Sequence, residues 1–172
     1  TLGIGASMLM PVEQARADDC LLDRDNDGNV DPGSTDNDGG ANSDNDDTST
    51  ACGVGASATG SFASAFGSFS DASGDRTIAI GRISEASAND ATAVGHNAEA
   101  TALDSVALGQ ASRATAINAV ALGQAAVADF VDAVAIGQSA DVGGEGAVSL
   151  GADANAAPVN AISIGAQSDA TN

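Results

Sequence analysis

Short apolar triplets recur along the chain between Ile78 and Ile164, and a glycine directly follows each triplet. In most of them, two bulky aliphatic residues flank a central Ala or Ser, which is the two-residue alternation of a β-strand. One glycine stands at every fourteenth residue, at Gly67, Gly81, Gly95, Gly109, Gly123, Gly137, Gly151 and Gly165. Such a regular period predicts a repeat architecture.

Each unit contains a second alternation after its glycine, as in Ser84–Ala88 and Ala98–Ala102, with a small residue at every second position. A residue type that favours turns precedes the next triplet in most units, namely Asp90, Asp104, Asn118, Asp132 or Asn160. The glycine at the other junction accepts a positive φ without steric cost. We therefore predict an all-β solenoid whose coils each run strand, corner, strand, corner and stack about 4.8 Å apart.

A helical interpretation fails because glycine would recur in it, at about 1 kcal/mol relative to alanine for each copy. In the solenoid we expect the bulky triplet residues to face the interior. Burial of two such residues per coil contributes less free energy than the conformational entropy that the ordered backbone of the coil loses. The remaining Ala and Ser faces would allow identical chains to approach closely. The composition thus favours an oligomer, and a monomeric solenoid with a small-residue surface is the alternative.

The segments Asn118–Ala125 and Asp132–Ser139 show the repeat most fully: Asn or Asp, Ala, an apolar triplet, Gly, Gln and a small residue. This pattern resembles the head repeat of YadA-type trimeric autotransporter adhesins, over about residues 53–172. The resemblance implies a left-handed parallel β-roll in a homotrimer. In that family a neck, a stalk and a barrel anchor follow the head; this chain lacks them, so we expect a fragment or a released protein.

The first coil is expected to be irregular, because Gly55 and Gly67 are only twelve residues apart. Three of the four Phe residues gather there, at Phe62, Phe66 and Phe69. We expect these rings to pack beneath an N-terminal cap rather than to form a binding site.

Residues 1–17 are predicted to be part of a secretory signal. Leu2–Val12 is apolar, and Ala15–Ala17 has the Ala-x-Ala pattern of a cleavage site. A stray solenoid coil at Gly3–Ser7 is the alternative.

The only two cysteines, Cys20 and Cys52, bracket an acidic segment. In an exported chain they are expected to form a disulfide that closes this segment. Two free thiols and an interchain pair are the alternatives.

Residues 18–52 form this Asp-rich segment, whose first loop resembles the first nine positions of an EF-hand. Alternating oxygen ligands with a glycine at position six suit calcium, although position twelve is Ser34 instead of Glu. The loop is therefore more similar to the helix-free Asp repeats of thrombospondin type 3 regions. The candidate ligands are Asp23, Asp25, Asp27, Asn29 and Asp31, with a weaker set at Asp36, Asp38, Asp44 and Asp46. Calcium would stiffen the segment as a cap over the first coil; a disordered acidic spacer is the alternative.

The formal net charge of −19 argues against nucleic acid and anionic membranes as partners, since both require basic patches. No apolar run is long enough for a membrane-spanning helix. His96 is the only histidine, is expected to be exposed, and has no partner in sequence that would make it a catalytic base. We therefore expect no enzyme activity.

By the resemblance, the chain is expected to be an exported, surface-displayed adhesin head at the outer membrane or outside the cell. Its partners would be extracellular matrix proteins, other cells or abiotic surfaces, bound through a repetitive face. Two alternatives come from other classes: a structural fibre or spacer such as a phage tail fibre, and a secreted calcium-binding protein without an adhesive role.

Overall fold

The computed structural model of the chain describes residues 41–43 and 48–171. These residues form a parallel β-solenoid in which the chain alternates between two sheets once in every coil. The described ranges contain no helix that is long and apolar enough to cross a membrane. The prediction of an all-β solenoid is confirmed.

The apolar triplets form sheet 1, which has nine parallel strands. Its strands, numbered in chain order, are β1 (Thr50–Cys52), β2 (Ser64–Phe66), β4 (Ile78–Ile80), β6 (Thr92–Val94), β8 (Val106–Leu108), β10 (Val120–Leu122), β12 (Val134–Ile136), β14 (Val148–Leu150) and β16 (Ile162–Ile164). The second runs form sheet 2, which has eight. Its strands are β3 (Asp71–Ala72), β5 (Glu85–Ala86), β7 (Glu99–Ala100), β9 (Arg113–Ala114), β11 (Val127–Ala128), β13 (Asp141–Val142), β15 (Asn155–Ala156) and β17 (Asp169–Ala170).

The coils stack in register, with a step of fourteen residues between paired strands. Val120 pairs with Val106 on one side and with Val134 on the other. The corners are also bonded between coils, because the Ala125 N–H donates to the Gln110 carbonyl at 2.9 Å. Backbone groups of strands and corners are thus satisfied by the neighbouring coil, so each coil depends on the next one for its stability.

Two kinds of corner join the sheets. The glycine corner follows a sheet 1 strand, as in Gly123–Ala125, and the second corner precedes the next sheet 1 strand, as in Ala116–Asn118. The predicted turn residues lie at the left-handed position of the second corner, with φ between 56° and 61°, at Asp90, Asp104, Asn118, Asp132 and Asn160. Their predicted role is confirmed.

The glycine series begins one coil earlier than the sequence analysis placed it. Gly53 has a φ of +132°, and the strand before it, Thr50–Cys52, pairs in register with Ser64–Phe66. The expectation of an irregular first coil is therefore wrong, because Gly53 and not Gly55 is the corner glycine that stacks on Gly67. Strand β1 lies on the N-terminal side of the predicted boundary at residue 53.

Alanine fills most of the interior between the two sheets. The central triplet residues, such as Ala107 and Ala121, and the second residues of sheet 2 strands, such as Ala100 and Ala114, are fully buried. The bulky triplet residues point outward instead, and Leu122 is 40% exposed. The expectation that they face the interior is wrong, because short corners hold the sheets too close together for larger side chains.

Several buried hydroxyls lie beside the corners and are satisfied there. Ser70, Ser84 and Ser112 each donate to the carbonyl of the corner glycine three residues earlier, at 2.9–3.0 Å. Thr77 and Ser105 make the same contact at the second corner, at 2.6 Å. Buried hydroxyls are stable only when hydrogen-bonded, so these residues fill the interior and also stabilise the turns.

Candidate interaction surfaces

The outer face of sheet 1 carries an apolar stripe, which we define as the outward residues of its strands. The aliphatic and aromatic members are Phe66, Ile78, Ile80, Val94, Val106, Leu108, Val120, Leu122, Val134, Ile136, Val148, Leu150, Ile162 and Ile164. All are at least partly exposed, and Ile80 is 41% exposed. These residues lie on eight strands about 4.8 Å apart, each three residues of about 3.3 Å long, so the apolar stripe is about 34 Å long and 10 Å wide. A contiguous apolar patch of that size marks an interaction surface.

The outer face of sheet 2 is polar, and carboxylates occupy three successive coils at Asp71, Glu85 and Glu99. These side chains stack about 4.8 Å apart, a separation at which like charges repel. None of the three has an ion-pair partner among the residues that the structure describes. Oδ1 of Asp71 is buried and accepts no hydrogen bond from the residues that the structure describes. The column therefore presents unneutralised negative charge to solvent.

The next coil interrupts this charge with a compact network. Arg113 forms a salt bridge to Asp129, which also accepts a hydrogen bond from the Thr115 hydroxyl at 2.6 Å. The hydrogen bond to Asp129 and its negative charge raise the pKa of Arg113. Asp129 of the adjacent coil is thereby held by two residues of the coil below, Arg113 and Thr115.

The second corners change from charged near the N-terminal end to apolar in the central coils. Near the N-terminal end, Arg76 donates two hydrogen bonds of 2.6 Å to Asp90. These bonds raise the pKa of Arg76 and lower the pKa of Asp90. In the next coils the tips of these corners are Leu103, Ile117 and Val131, between 38% and 46% exposed.

The glycine corners have polar tips in the corresponding coils. Arg82 donates to Nε2 of His96 across 3.1 Å, and His96 is exposed as predicted. Gln110, Gln124 and Gln138 occupy the tips of the next three coils. The stacked amides of Gln110 and Gln124 lie 3.5 Å apart.

The three N-terminal Phe side chains are exposed: Phe62 by 64%, Phe66 by 40% and Phe69 by 59%. The residues expected to form a cap lie largely outside the described ranges, so packing of these rings beneath a cap stays a prediction. Phe62 and Phe69 occupy the left-handed positions of their corners, both with φ of 59°, where the side chain points away from the coil. Bulky residues are uncommon in this conformation, so these corners combine backbone strain with apolar exposure.

The predicted calcium ligands lie outside the described residues, at Asp23, Asp25, Asp27, Asn29, Asp31, Asp36, Asp38, Asp44 and Asp46. Calcium binding by this segment stays a prediction, and so does the secretory signal in residues 1–17. In the described part of the chain, no group of three or more His, Cys, Asp or Glu side chains is arranged to hold a metal ion. Cys52 is not a free thiol, but Cys20 is outside the described ranges, and their pairing stays a prediction.

The model of the YadA head domain repeat matches the chain at residues 47–70, 58–84, 72–98, 86–112, 100–126, 114–140 and 143–168. The chain belongs to the YadA head-domain family. The structure is also similar to the crystal structure of the collagen-binding domain of the Yersinia adhesin YadA, with a TM-score of 0.55 and 25% sequence identity. The similarity covers 68% of this chain and 65% of that one, so the chain spans slightly less than two thirds of that domain. No curated protein matches the sequence.

Membership in the YadA head family confirms the resemblance seen in the repeats and makes the chain an adhesin-like head, a non-enzymatic kind of protein. Its candidate functional features are surfaces: the apolar stripe, the acidic column of sheet 2 and the two series of corner tips. The alternating pattern of the sequence identifies the residues of the stripe, but they were expected in the interior. The abundance of Ala at alternate positions was the signal for the correct orientation, because small side chains suit the interior of a thin coil.

Proposed function

We propose that the chain acts as a homotrimeric adhesin head at the cell surface, with the apolar stripes of three copies packed around a common axis. The outward orientation of the bulky triplet residues carries this proposal. A single solenoid leaves the stripe in water along its whole length, although each fully buried Val, Leu or Ile side chain is worth about 1.5–3 kcal/mol. Sheet 2 has no comparable apolar face, so sheet 1 is the side that faces the axis.

Charges placed in the stripe test the trimer without disturbing the alanine interior. Leu108→Asp combined with Leu122→Asp puts two carboxylates on the outer face of sheet 1, and we expect single chains in sedimentation velocity. The matched control is Ser87→Asp with Thr101→Asp on the outer face of sheet 2, which adds the same charge and is expected to leave three chains per particle. A trimer that survives the stripe variant would contradict the proposed packing.

Packing of the stripes leaves the outer face of sheet 2 for a ligand. Its column of Asp71, Glu85 and Glu99 suits an elongated partner with basic side chains that repeat along its length. We propose an extracellular matrix protein of this kind, and fibrillar collagen is the first probe because the similar Yersinia domain is described as collagen-binding. Other cells and abiotic surfaces are the remaining candidates within the adhesive function.

Surface plasmon resonance with immobilised collagen tests this assignment. Asp71→Asn, Glu85→Gln and Glu99→Gln together are expected to weaken binding at least about threefold, since each exposed ion pair is worth about 0.2–1 kcal/mol. The control removes three carboxylates from the corners, away from the outer face of sheet 2, with Asp104→Asn, Asp132→Asn and Asp153→Asn. Equal loss in both variants would reject the acidic column as the binding face. No binding by the parent chain to collagen, fibronectin or laminin would favour a spacer role instead.

A further inference from the structure

We propose that each glycine corner docks against the second corner of the neighbouring copy in the same coil, so that the corners close the vertices of the trimer. This inference rests on the proposed packing of three apolar stripes around one axis. It adds a second, chemically different contact between copies, and it assigns a partner to the exposed corner tips.

The dimensions of the coil require the corners to take part. Packed sheets lie about 10 Å apart, which places each sheet 1 about 5 Å from the axis. Three flat faces at that distance enclose a triangle with sides of about 17 Å, whereas a three-residue strand spans only about 10 Å. About 7 Å of each side is left for the two corners. The ends of each face therefore meet at the vertices.

Threefold symmetry decides which corners meet. In a cyclic trimer one edge of each copy contacts the opposite edge of the next. Rotation about a threefold axis parallel to the solenoids also keeps equivalent coils of the three copies at equal height. The glycine corner after β10 therefore faces the second corner before β10 of the neighbour, and the same holds for every other sheet 1 strand.

The apolar tips agree with this pairing. Leu103, Ile117 and Val131 belong to the same coils as the glycine corners that carry Gln110, Gln124 and Gln138. These three are uncharged, and the residues after them are small: Ala111, Ala125 and Ser139. An aliphatic tip thus meets the stem of a glutamine and a methyl or hydroxymethyl group, without burying a charge.

The N-terminal coils supply two further matches. Among the described arginines, Arg82 alone has no salt bridge, and the second corner of its coil carries Asp75. Oδ1 of Asp75 accepts the Ser61 N–H at 3.2 Å, which leaves Oδ2 for a cation. One coil earlier, Phe62 and Phe69 occupy the left-handed positions of the two opposite corners, so an exposed ring of one copy would lie at the same vertex as a ring of its neighbour. In the coil of Glu145 the facing residues are Ala152 and Asp153, which add no attraction.

Cysteine cross-linking tests the pairing directly. Ile117→Cys with Gln124→Cys places both thiols in one coil, with β10 between them. Within one chain the three-residue strand between them alone spans about 10 Å, beyond the roughly 4.4–6.8 Å between Cα atoms that a disulfide requires. Oxidation should therefore join different copies and produce a covalent ring of three in a non-reducing gel. The controls are Ile117→Cys with Val127→Cys, whose second thiol lies on sheet 2, and the parent chain with its native cysteines.

The outcomes separate this inference from the trimer itself. Three chains per particle without cross-linked trimers would overturn the corner pairing and leave the packed stripes standing. Single chains in solution would remove both. A charge exchange gives a second readout: Arg82→Glu should raise the dissociation constant of the trimer severalfold, and adding Asp75→Arg should restore it. Failure of the exchanged pair to restore affinity would also count against the pairing.

Discussion

The corner glycine Gly123 offers a quantitative test of in-register stacking. Its φ is +136°, and an added Cβ would lie 2.4 Å from the carbonyl oxygen and 2.6 Å from the carbonyl carbon of Gly137. Holding alanine in such a sparsely populated conformation costs about 1–3 kcal/mol. Relieving the backbone contact in a well-packed structure costs about 1–3 kcal/mol more. We therefore expect Gly123→Ala to lower the free energy of unfolding by roughly 2–6 kcal/mol.

Gly165 separates the two contributions. Its φ is +119°, but an added Cβ would meet only the Cβ of Ser168, at 4.0 Å. Gly165→Ala therefore keeps the conformational strain and lacks the clash. The difference between the two variants should be about 1–3 kcal/mol, the part that comes from stacking.

The assay is urea unfolding followed by far-ultraviolet circular dichroism. All variants are compared at one protein concentration, because the stability of an oligomer depends on concentration. Glu85→Ala on the exposed outer face of sheet 2 is the control and should change stability by less than about 0.5 kcal/mol. The reasoning is refuted if Gly123→Ala is as stable as the parent chain, or no less stable than Gly165→Ala.

Three further predictions concern the interior, the corner ion pair and the acidic segment. Ala121→Val should destabilise the solenoid by about 1–3 kcal/mol through overpacking. Val127→Ile on the outer face of sheet 2 should change stability by less than about 0.5 kcal/mol, and urea unfolding distinguishes the two variants. Because Arg76 lowers the pKa of Asp90, the contribution of this pair is present above the ordinary Asp pKa of about 3.9 and is lost as the pH falls through the lower folded value. NMR titration of the Asp90 carboxyl should show that depression, and Arg76→Gln should abolish it. Calorimetric titration of the parent chain with calcium chloride should give binding heat. The double variant Asp25→Asn with Asp27→Asn should lose this heat, and the control Asp141→Asn with Asp153→Asn should keep it. No binding heat from the parent chain would contradict the prediction of calcium binding.

The architecture was predictable because each part of the repeat has one structural solution. Glycine at a φ near +136° and in contact with the next carbonyl leaves no other residue type at Gly123. Asn118 and Asp132 suit the left-handed corner that follows a sheet 2 strand. These local requirements recur every fourteen residues, so the period alone indicates the length of one coil and the register in which strands of neighbouring coils pair.

The orientation of the strands was not predictable from alternation. A two-residue pattern states that Val120 and Ala121 face opposite sides, but it does not state which side is inside. The distance between the sheets decides this, and it depends on both corners together. Gly53 was missed for a related reason: its strand, Thr50–Cys52, lacks the aliphatic pair that marks the later triplets. The exposure of Phe62 and Phe69 follows from their corner positions and not from their residue type.

The central claim is that the outward-facing apolar stripe is covered by two sister chains. Multi-angle light scattering of the 172-residue chain at micromolar concentration measures this most directly. The account predicts a particle of three times the chain mass of 16.5 kDa. A particle with the mass of a single chain would contradict it.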